Sequence, residues 1–421
     1  MFLEKAESFI VENKNLFQMM QRNTRYNDEP QMFSYSSSYS VPIPGYRDVE
    51  YASGFSFDQE LALIRMLGES IERYSLDYFY PDIDSVSSCS DLKQEYIHPS
   101  KFSPFSQNQL NKNALKYFRI SDTSRIQWSK VTSFISGKTF LLPSQLNCIH
   151  FKYLDNEPLI MRMTSSGVAA GICLDDALYR AILELVEHDS FMIHYLNKIP
   201  SPEVDLGSLD DPQIKKLLQI YKRYRLELHV LNITTDLNIP SFVALTIDRT
   251  GIGPAVGVGL KSRFSEVEAV TNAIEESLLT STWVRQEYPE IKKRITITTI
   301  PHRAYYWYPT EMLKHLDFWL KSKKLSPINP KQPADQSLEH LVSIFKEQHM
   351  DIFFQDITHA KMKEHGFSVV RALIPELQPI YFDERFPYLG KRRLYTVPVT
   401  TGYQVKETAE EELNAVPHPL L

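Results

Sequence analysis

The strongest constraint on this chain is a helical pattern written three times. The first copy is Ala62-Leu63-Ile64-Arg65-Met66-Leu67-Gly68-Glu69-Ser70-Ile71-Glu72-Arg73. The second, aligned without a gap, is Ala177-Leu178-Tyr179-Arg180-Ala181-Ile182-Leu183-Glu184-Leu185-Val186-Glu187-His188. A weaker third copy begins at Ala269, with Asn272 in the Arg slot, Glu276 in the first Glu slot and Leu279 in the second. At about 100° per residue, positions i, i+4 and i+7 share one helix face. Arg65, Glu69 and Glu72 therefore line one stripe, as do Arg180, Glu184 and Glu187. Ile64, Leu67, Ile71 and Tyr74 fall opposite and supply the face that packs inward.

One such helix alone is an ordinary solvated surface element. Three with acids at the same phase imply faces that converge, and converging carboxylates repel unless cations sit between them. Mg²⁺ carrying a nucleotide polyphosphate is the commonest such cation, with the Arg side chains as phosphate clamps. Each copy also follows a strand and a glycine: a strand over 49–57 with Ser53-Gly54, then Ser165-Ser166-Gly167-Val168-Ala169-Ala170-Gly171, then the stretch from Gly251 to Gly259 with Lys261 just past it. The expected class is α/β, built from internally related strand-Gly-helix units around a sheet. Elsewhere the pattern predicts a helix over 2–20, loop through 34–40, a hairpin from 146–154 and 159–163, and a basic amphipathic helix over 212–225. It also predicts strands at 226–233, 240–248, 351–357 and 367–374, a helix at 338–348, and a core or interface role for Tyr305-Tyr306-Trp307-Tyr308.

Composition narrows the function classes. A net charge of −6 with Lys and Arg spread along the chain argues against a nucleic-acid surface. The three cysteines, Cys89, Cys148 and Cys173, are far apart, so structural zinc and a disulfide framework are not expected. No uncharged apolar run approaches about 18 residues, and acids stand where a signal peptide would be apolar, which predicts a cytoplasmic setting without membrane insertion.

These blocks resemble the YcaO family of ATP-utilising enzymes. The run from Leu67 to Tyr74 resembles its first Glu-x-x-Glu-Arg helix, and Ser165 to Gly171 followed by Ala181 to Asp189 its second block. Gly257 to Lys261 with Ala273-Ile274-Glu275-Glu276 resembles the third, and Val369-Val370-Arg371 through Gln378-Pro379 its C-terminal strand. The resemblance implies a YcaO-like domain over 48–421, a short extension over 1–47, and a central ATP/Mg²⁺ site. It makes Glu69, Glu72, Glu184, Glu187 and Glu276 the Mg²⁺ carboxylates. Arg65, Arg73, Ser166, Arg180, His188 and Lys261 become the nucleotide-side residues. Four positions depart from the family pattern: Arg65 where Ser is frequent, Ser166 where Asn is common, His188 where Arg is common, and Phe55 in a loop that often carries Lys.

The terminal Pro417-His418-Pro419-Leu420-Leu421 resembles the Pro-x-Pro tail of the azoline-forming members. That resemblance implies a tail reaching the active site, with Pro417, Pro419 and the Leu421 carboxylate in catalysis. The implied reaction is cyclodehydration of Cys, Ser or Thr in a ribosomal precursor peptide to thiazoline or oxazoline. Amide oxygen is a poor leaving group that phosphorylation by ATP converts into a good one. The implied partners are that peptide, a separate leader-binding protein with a ubiquitin-activating-enzyme-like fold, and a flavin-dependent dehydrogenase, in an oligomer or multi-enzyme complex. A non-catalytic partner protein and a thioamide- or amidine-forming enzyme are the alternatives. So short a tail is expected to contribute little core, and His418 to hydrogen-bond or titrate near neutrality.

Overall fold

Glycine in a strand is costly unless something must come closer than a side chain allows. A methyl group at Gly54 would lie 2.0 Å from the Met66 nitrogen, at Gly171 2.4 Å from the Ala177 nitrogen, and at Gly259 2.2 Å from the Ala273 carbonyl oxygen. In the computed structural model, which describes residues 5, 8–9, 12–41, 49–287, 296–331 and 333–421, these contacts seat the three repeat helices on the strands before them. Strand Val49–Ser56 leads into helix Gln59–Tyr78, Val168–Gly171 into Leu174–Leu196, and Val256–Ser262 into Glu266–Glu287. The α/β strand-Gly-helix reading is borne out. Asp58 caps the first helix by accepting from the Leu61 amide at 2.8 Å.

The chain divides into two compact units, Met1–Tyr26, Gln31–Leu185 and Ser337–Glu376 in the first, and Asn27–Pro30, Val186–Gln336 and Leu377–Leu421 in the second. The first unit holds an antiparallel sheet ordered Phe17–Arg22, Phe33–Ser40, Val49–Ser56. Its other sheet is ordered Ser85–Ser87, Ile126–Ser133, Phe353–Asp356, Ser368–Leu373, Val168–Gly171, with Thr139–Pro143 also paired to Ile126–Ser133. Met66, Leu67, Ile71 and Tyr74 of the first repeat helix are buried with Tyr39, Val168, Phe367 and Val369. Among its described residues the second unit has one sheet, ordered Val256–Ser262, Ser241–Ile247, Glu227–Asn232, Glu203–Val204, Leu325–Ser326, antiparallel except for its last pair. The expected helix at 212–225 is present as Pro212–Tyr224, and Trp307 and Tyr308 are core.

Three expectations are corrected. The Ser-rich stretch 34–40 is no loop but lies in strand Phe33–Ser40: the buried Ser37 hydroxyl pairs with Ser70 at 2.6 Å, so small residues bring the strand against the helix. The predicted hairpin at 146–163 contains no strand, because side chains satisfy its main chain instead. Gln145 accepts from the Ile160 amide at 2.8 Å and donates to the Pro158 carbonyl at 3.0 Å, while Glu157 accepts from the amides of Leu154 and Gln127, both at 3.1 Å. The helix expected over 2–20 gives way to strand from Phe17, and much of its earlier part lies outside the described residues.

Glycine packing yields a paired test. Gly259→Ala is expected to destabilise the protein by about 1–3 kcal/mol, since its methyl would strike main chain. Gly68→Ala, in a helix with nothing within 4 Å, is expected to stabilise it by about 0.5–1 kcal/mol. Urea unfolding of both variants checks the pair, and equal effects would contradict the packing.

Candidate functional site

In the first unit the acidic stripe is tied to strand main chain. Glu69 accepts from the Ser53 amide at 2.9 Å and from Arg73 Nε at 2.8 Å. Glu72, next on the stripe, faces the Ala170 amide of the strand that feeds the second repeat helix. Loss of water, helped by the charge of Glu69, raises the Glu72 pKa to about 8 against the pull of Arg73 and of the Ala170 amide. Arg65 turns the other way. It donates to the Phe55 carbonyl at 2.9 Å, with its guanidinium 5.8 Å from the Phe55 ring centre. Two of the four departures are thus one contact pair.

Ser166 sits in a local turn, its hydroxyl accepting from Thr164 at 2.9 Å and its amide donating to the Thr164 hydroxyl at 3.2 Å. Gly167 follows at φ +78°, a left-handed position where a methyl would also lie 2.6 Å from the Ala372 carbonyl. Arg180 forms an exposed pair with Asp176 at 2.8 Å, a contact of small energetic weight. Glu184 lies in the field of a cation that helical periodicity did not single out, Arg371. Arg371 is fully buried and donates to the carbonyls of Leu146 and Thr164, at 2.9 and 2.8 Å, while its Nη1 has no hydrogen-bond partner among the described residues. Burial lowers its pKa to about 10, and Cys148 and Glu184 oppose that shift.

In the second unit Glu187 is buried and well supplied with donors. Ser262 N–H reaches it at 3.0 Å, Lys261 at 3.3 Å and Arg263 at 3.5 Å. Arg263 was not visible as a site residue, standing outside the repeated phase. His188 is driven down to about 4 by burial and by Lys261, against the pull of Glu187, and its Nδ1 has no hydrogen-bond partner among the described residues. Glu276 lies beside Gly259, its Cβ 2.8 Å from where a methyl there would stand. Next to His188, fully buried Asp189 accepts from Arg393 at 3.1 and 2.7 Å, and Arg393 also holds Asp236 at 2.9 and 2.8 Å.

The C-terminal residues are docked, not frayed. Tyr195 Oη and Trp307 Nε1 donate to the Pro417 carbonyl at 3.0 and 2.9 Å, and Arg303 donates to the His418 carbonyl at 2.6 Å. His418 and Leu420 are buried, and Leu421 packs beside Val284, Ala304 and Tyr308. The expectation of little core contribution is therefore corrected. So is titration of His418 near neutrality: burial and Arg303 hold it neutral, its Nε2 donating to the Tyr381 carbonyl at 2.6 Å. The ring packs on Phe191 and Tyr195, one to two turns past Glu187 on the second repeat helix.

Among the described residues no three His, Cys, Asp or Glu side chains close on one metal position. Such a cage is not what Mg²⁺ requires, since this ion usually takes one or two carboxylates and completes its shell with phosphate oxygens and water. Glu72 suits that role: a cation beside it would stabilise the charged form that burial and Glu69 disfavour.

The family model described as YcaO cyclodehydratase, ATP- and Mg²⁺-binding, matches residues 53–378. The chain belongs to the YcaO family. Its fold is shared with a heterocyclase solved in complex with substrate and cofactor, at TM-score 0.81 and 23% identity over 99% of this chain and 57% of that one. The chain thus spans little more than half of that heterocyclase. YcaO from Methanopyrus kandleri, bound with AMPPCP and Mg²⁺, superposes at TM-score 0.65 with 14% identity, over 90% of this chain and 91% of that one. A chain of the E. coli microcin synthetase McbBCD complex does so at 0.59 with 12% identity, over 85% and 88%. Among the described residues of this YcaO protein, no helix is long and apolar enough to cross a membrane.

Two outcomes follow from the site. The folded protein binds the Glu72 proton more tightly than the unfolded chain, so this favourable contribution is complete below the ordinary value of 4.5 and lost as pH rises through about 8. Glu72→Gln should therefore gain on wild type in melting temperature as pH is raised from 5 to 9, and parallel curves would contradict the assignment. Leu420→Ala should cost on the order of 2 kcal/mol, read by chemical unfolding, because the side chain is buried.

Proposed function

We propose that this YcaO protein is an ATP- and Mg²⁺-dependent peptide cyclodehydratase. The observation that carries the reading is the Pro-x-Pro terminus, seated on the second repeat helix just beyond Glu187 and His188. Burial of His418 and Leu420 supports a segment held in a fixed place beside that helix. In this reading, residues 48–421 act as the catalytic domain. Glu69, Glu72, Glu184, Glu187 and Glu276 supply Mg²⁺ carboxylates, and Arg65, Arg73, Ser166, Arg180, His188 and Lys261 lie on the nucleotide side. Mg²⁺ would contribute neutralisation of charge on the transferring phosphoryl group.

The thiol or hydroxyl of a Cys, Ser or Thr adds to the preceding amide carbonyl of a precursor peptide. The resulting oxyanion takes a phosphoryl group from ATP, and phosphate departs as the azoline forms. Pro417 and Pro419 hold the Leu421 carboxylate where it accepts a proton or orients the amide. The protein's own work is to exclude water, keep cations facing the phosphates, and fix the terminus. A chain of the microcin synthetase complex shares this fold, which supports a multi-enzyme setting. We place a leader-binding protein with a ubiquitin-activating-enzyme-like fold and a flavin-dependent dehydrogenase beside this chain, in the cytoplasm.

A second reading, a non-catalytic partner protein, is favoured by two contacts: Arg65 folded back on Phe55, and Glu187 already neutralised by Lys261 and Arg263. Mass spectrometry of a precursor peptide incubated with ATP separates the readings. A cyclodehydratase removes one water per ring and consumes ATP only when peptide is present; Glu184→Gln should stop both with little change in melting temperature. ATP consumption independent of peptide, or none, would favour the partner protein.

A further inference from the structure

Proline has no amide hydrogen, so a Pro-x-Pro segment offers a partner chiefly carbonyl acceptors. The surroundings of the terminus are matched to that deficiency. Two side-chain donors from different elements converge on the Pro417 carbonyl: the Tyr195 hydroxyl from helix Leu174–Leu196 and the Trp307 indole from helix Ile300–Trp307. The His418 carbonyl takes the fully buried Arg303 at 2.6 Å. Arg303 is itself held by Glu384 at 2.6 Å and by the Phe382 carbonyl at 3.1 Å, so its guanidinium is also anchored by groups outside the tail. The Tyr381 carbonyl is already used, by the His418 ring at 2.6 Å. An amide hydrogen introduced at buried position 419 would enter this donor-rich setting in need of an acceptor.

We propose that Tyr195, Trp307 and Arg303 are positioning residues that form a seat for main-chain carbonyls, and that this seat sets where the Leu421 carboxylate stands. The seat recognises a proline-flanked terminus by its main chain, with Leu420 as apolar anchor. It therefore fixes register, which a purely apolar groove would leave free to slip. The link from register to ring formation rests on the cyclodehydratase reading; the seat itself does not.

The test uses the full-length chain carrying Tyr195→Phe together with Trp307→Phe, which keeps both rings and removes both donors to Pro417. The first readout is release of Leu421 and Leu420 by a carboxypeptidase, followed by mass spectrometry under native conditions. Leaving a carbonyl without its donors should accelerate trimming roughly tenfold to a hundredfold. Tyr195→Phe alone, which removes one of the two donors and leaves the tail sequence unchanged, should accelerate trimming as well, and serves if the double variant fails to fold. Unchanged trimming in the variants that fold would overturn the seat. The second readout is cyclisation: the double variant should lose kcat in the same proportion while its KM for ATP stays constant. Fast trimming with unchanged kcat would overturn the positioning role. If wild type forms no rings yet trimming still responds, the seat stands and the cyclodehydratase reading falls.

Discussion

Where Gly54, Gly171 and Gly259 meet the helices that follow them, main chain touches main chain, and nothing larger than hydrogen fits. That approach sets the rotation of each repeat helix and carries strand amides toward the acidic stripe. Ser53, beside Gly54, donates to Glu69; Ala170, beside Gly171, faces Glu72; Ser262, on the strand of Gly259, donates to Glu187. A carboxylate given a main-chain N–H keeps part of its hydration when buried. Packing and site chemistry are therefore one construction, in which small residues beneath the helices allow acids above them.

Legibility followed periodicity. The repeat helices could be read because amphipathic spacing survives in any one sequence, and the strand-Gly approach because glycine in a strand has few other uses. Strand Phe33–Ser40 was missed because serine carries no hydrophobic alternation; its burial depends on hydroxyl pairs such as Ser37 with Ser70. The false hairpin at 146–163 had the alternation but lost its ladder to Gln145 and Glu157. Arg263, Arg303 and Arg371 belong to no repeat. Each gains its meaning from partners elsewhere in the chain, as Arg371 does from the carbonyls of Leu146 and Thr164. The Pro-x-Pro terminus was legible as a motif, whereas its depth of burial was not, because five residues carry no period.

Departures from a family pattern also read differently once side chains are placed. Phe55 and Arg65 would count as two losses if scored singly, yet the guanidinium rests over the ring and on the Phe55 carbonyl, so one substitution accommodates the other. His188 in place of Arg leaves a neutral ring where a second permanent cation would crowd Lys261 and His418.

The two units balance their partly buried acids by different means. In the second, Glu187 has Lys261 and Arg263, and Asp189 and Asp236 share Arg393, so negative charge is matched from within. At the end of the first repeat helix Arg73 pairs with Glu69, while burial, with Glu69 beside it, disfavours the charge of Glu72 and raises its pKa to about 8. The second unit thus covers Glu187, Asp189 and Asp236 with fixed cations of its own. The first unit meets Glu69 with a cation and Glu72 with a proton, so the end of its repeat helix exchanges that proton with solution as pH passes about 8.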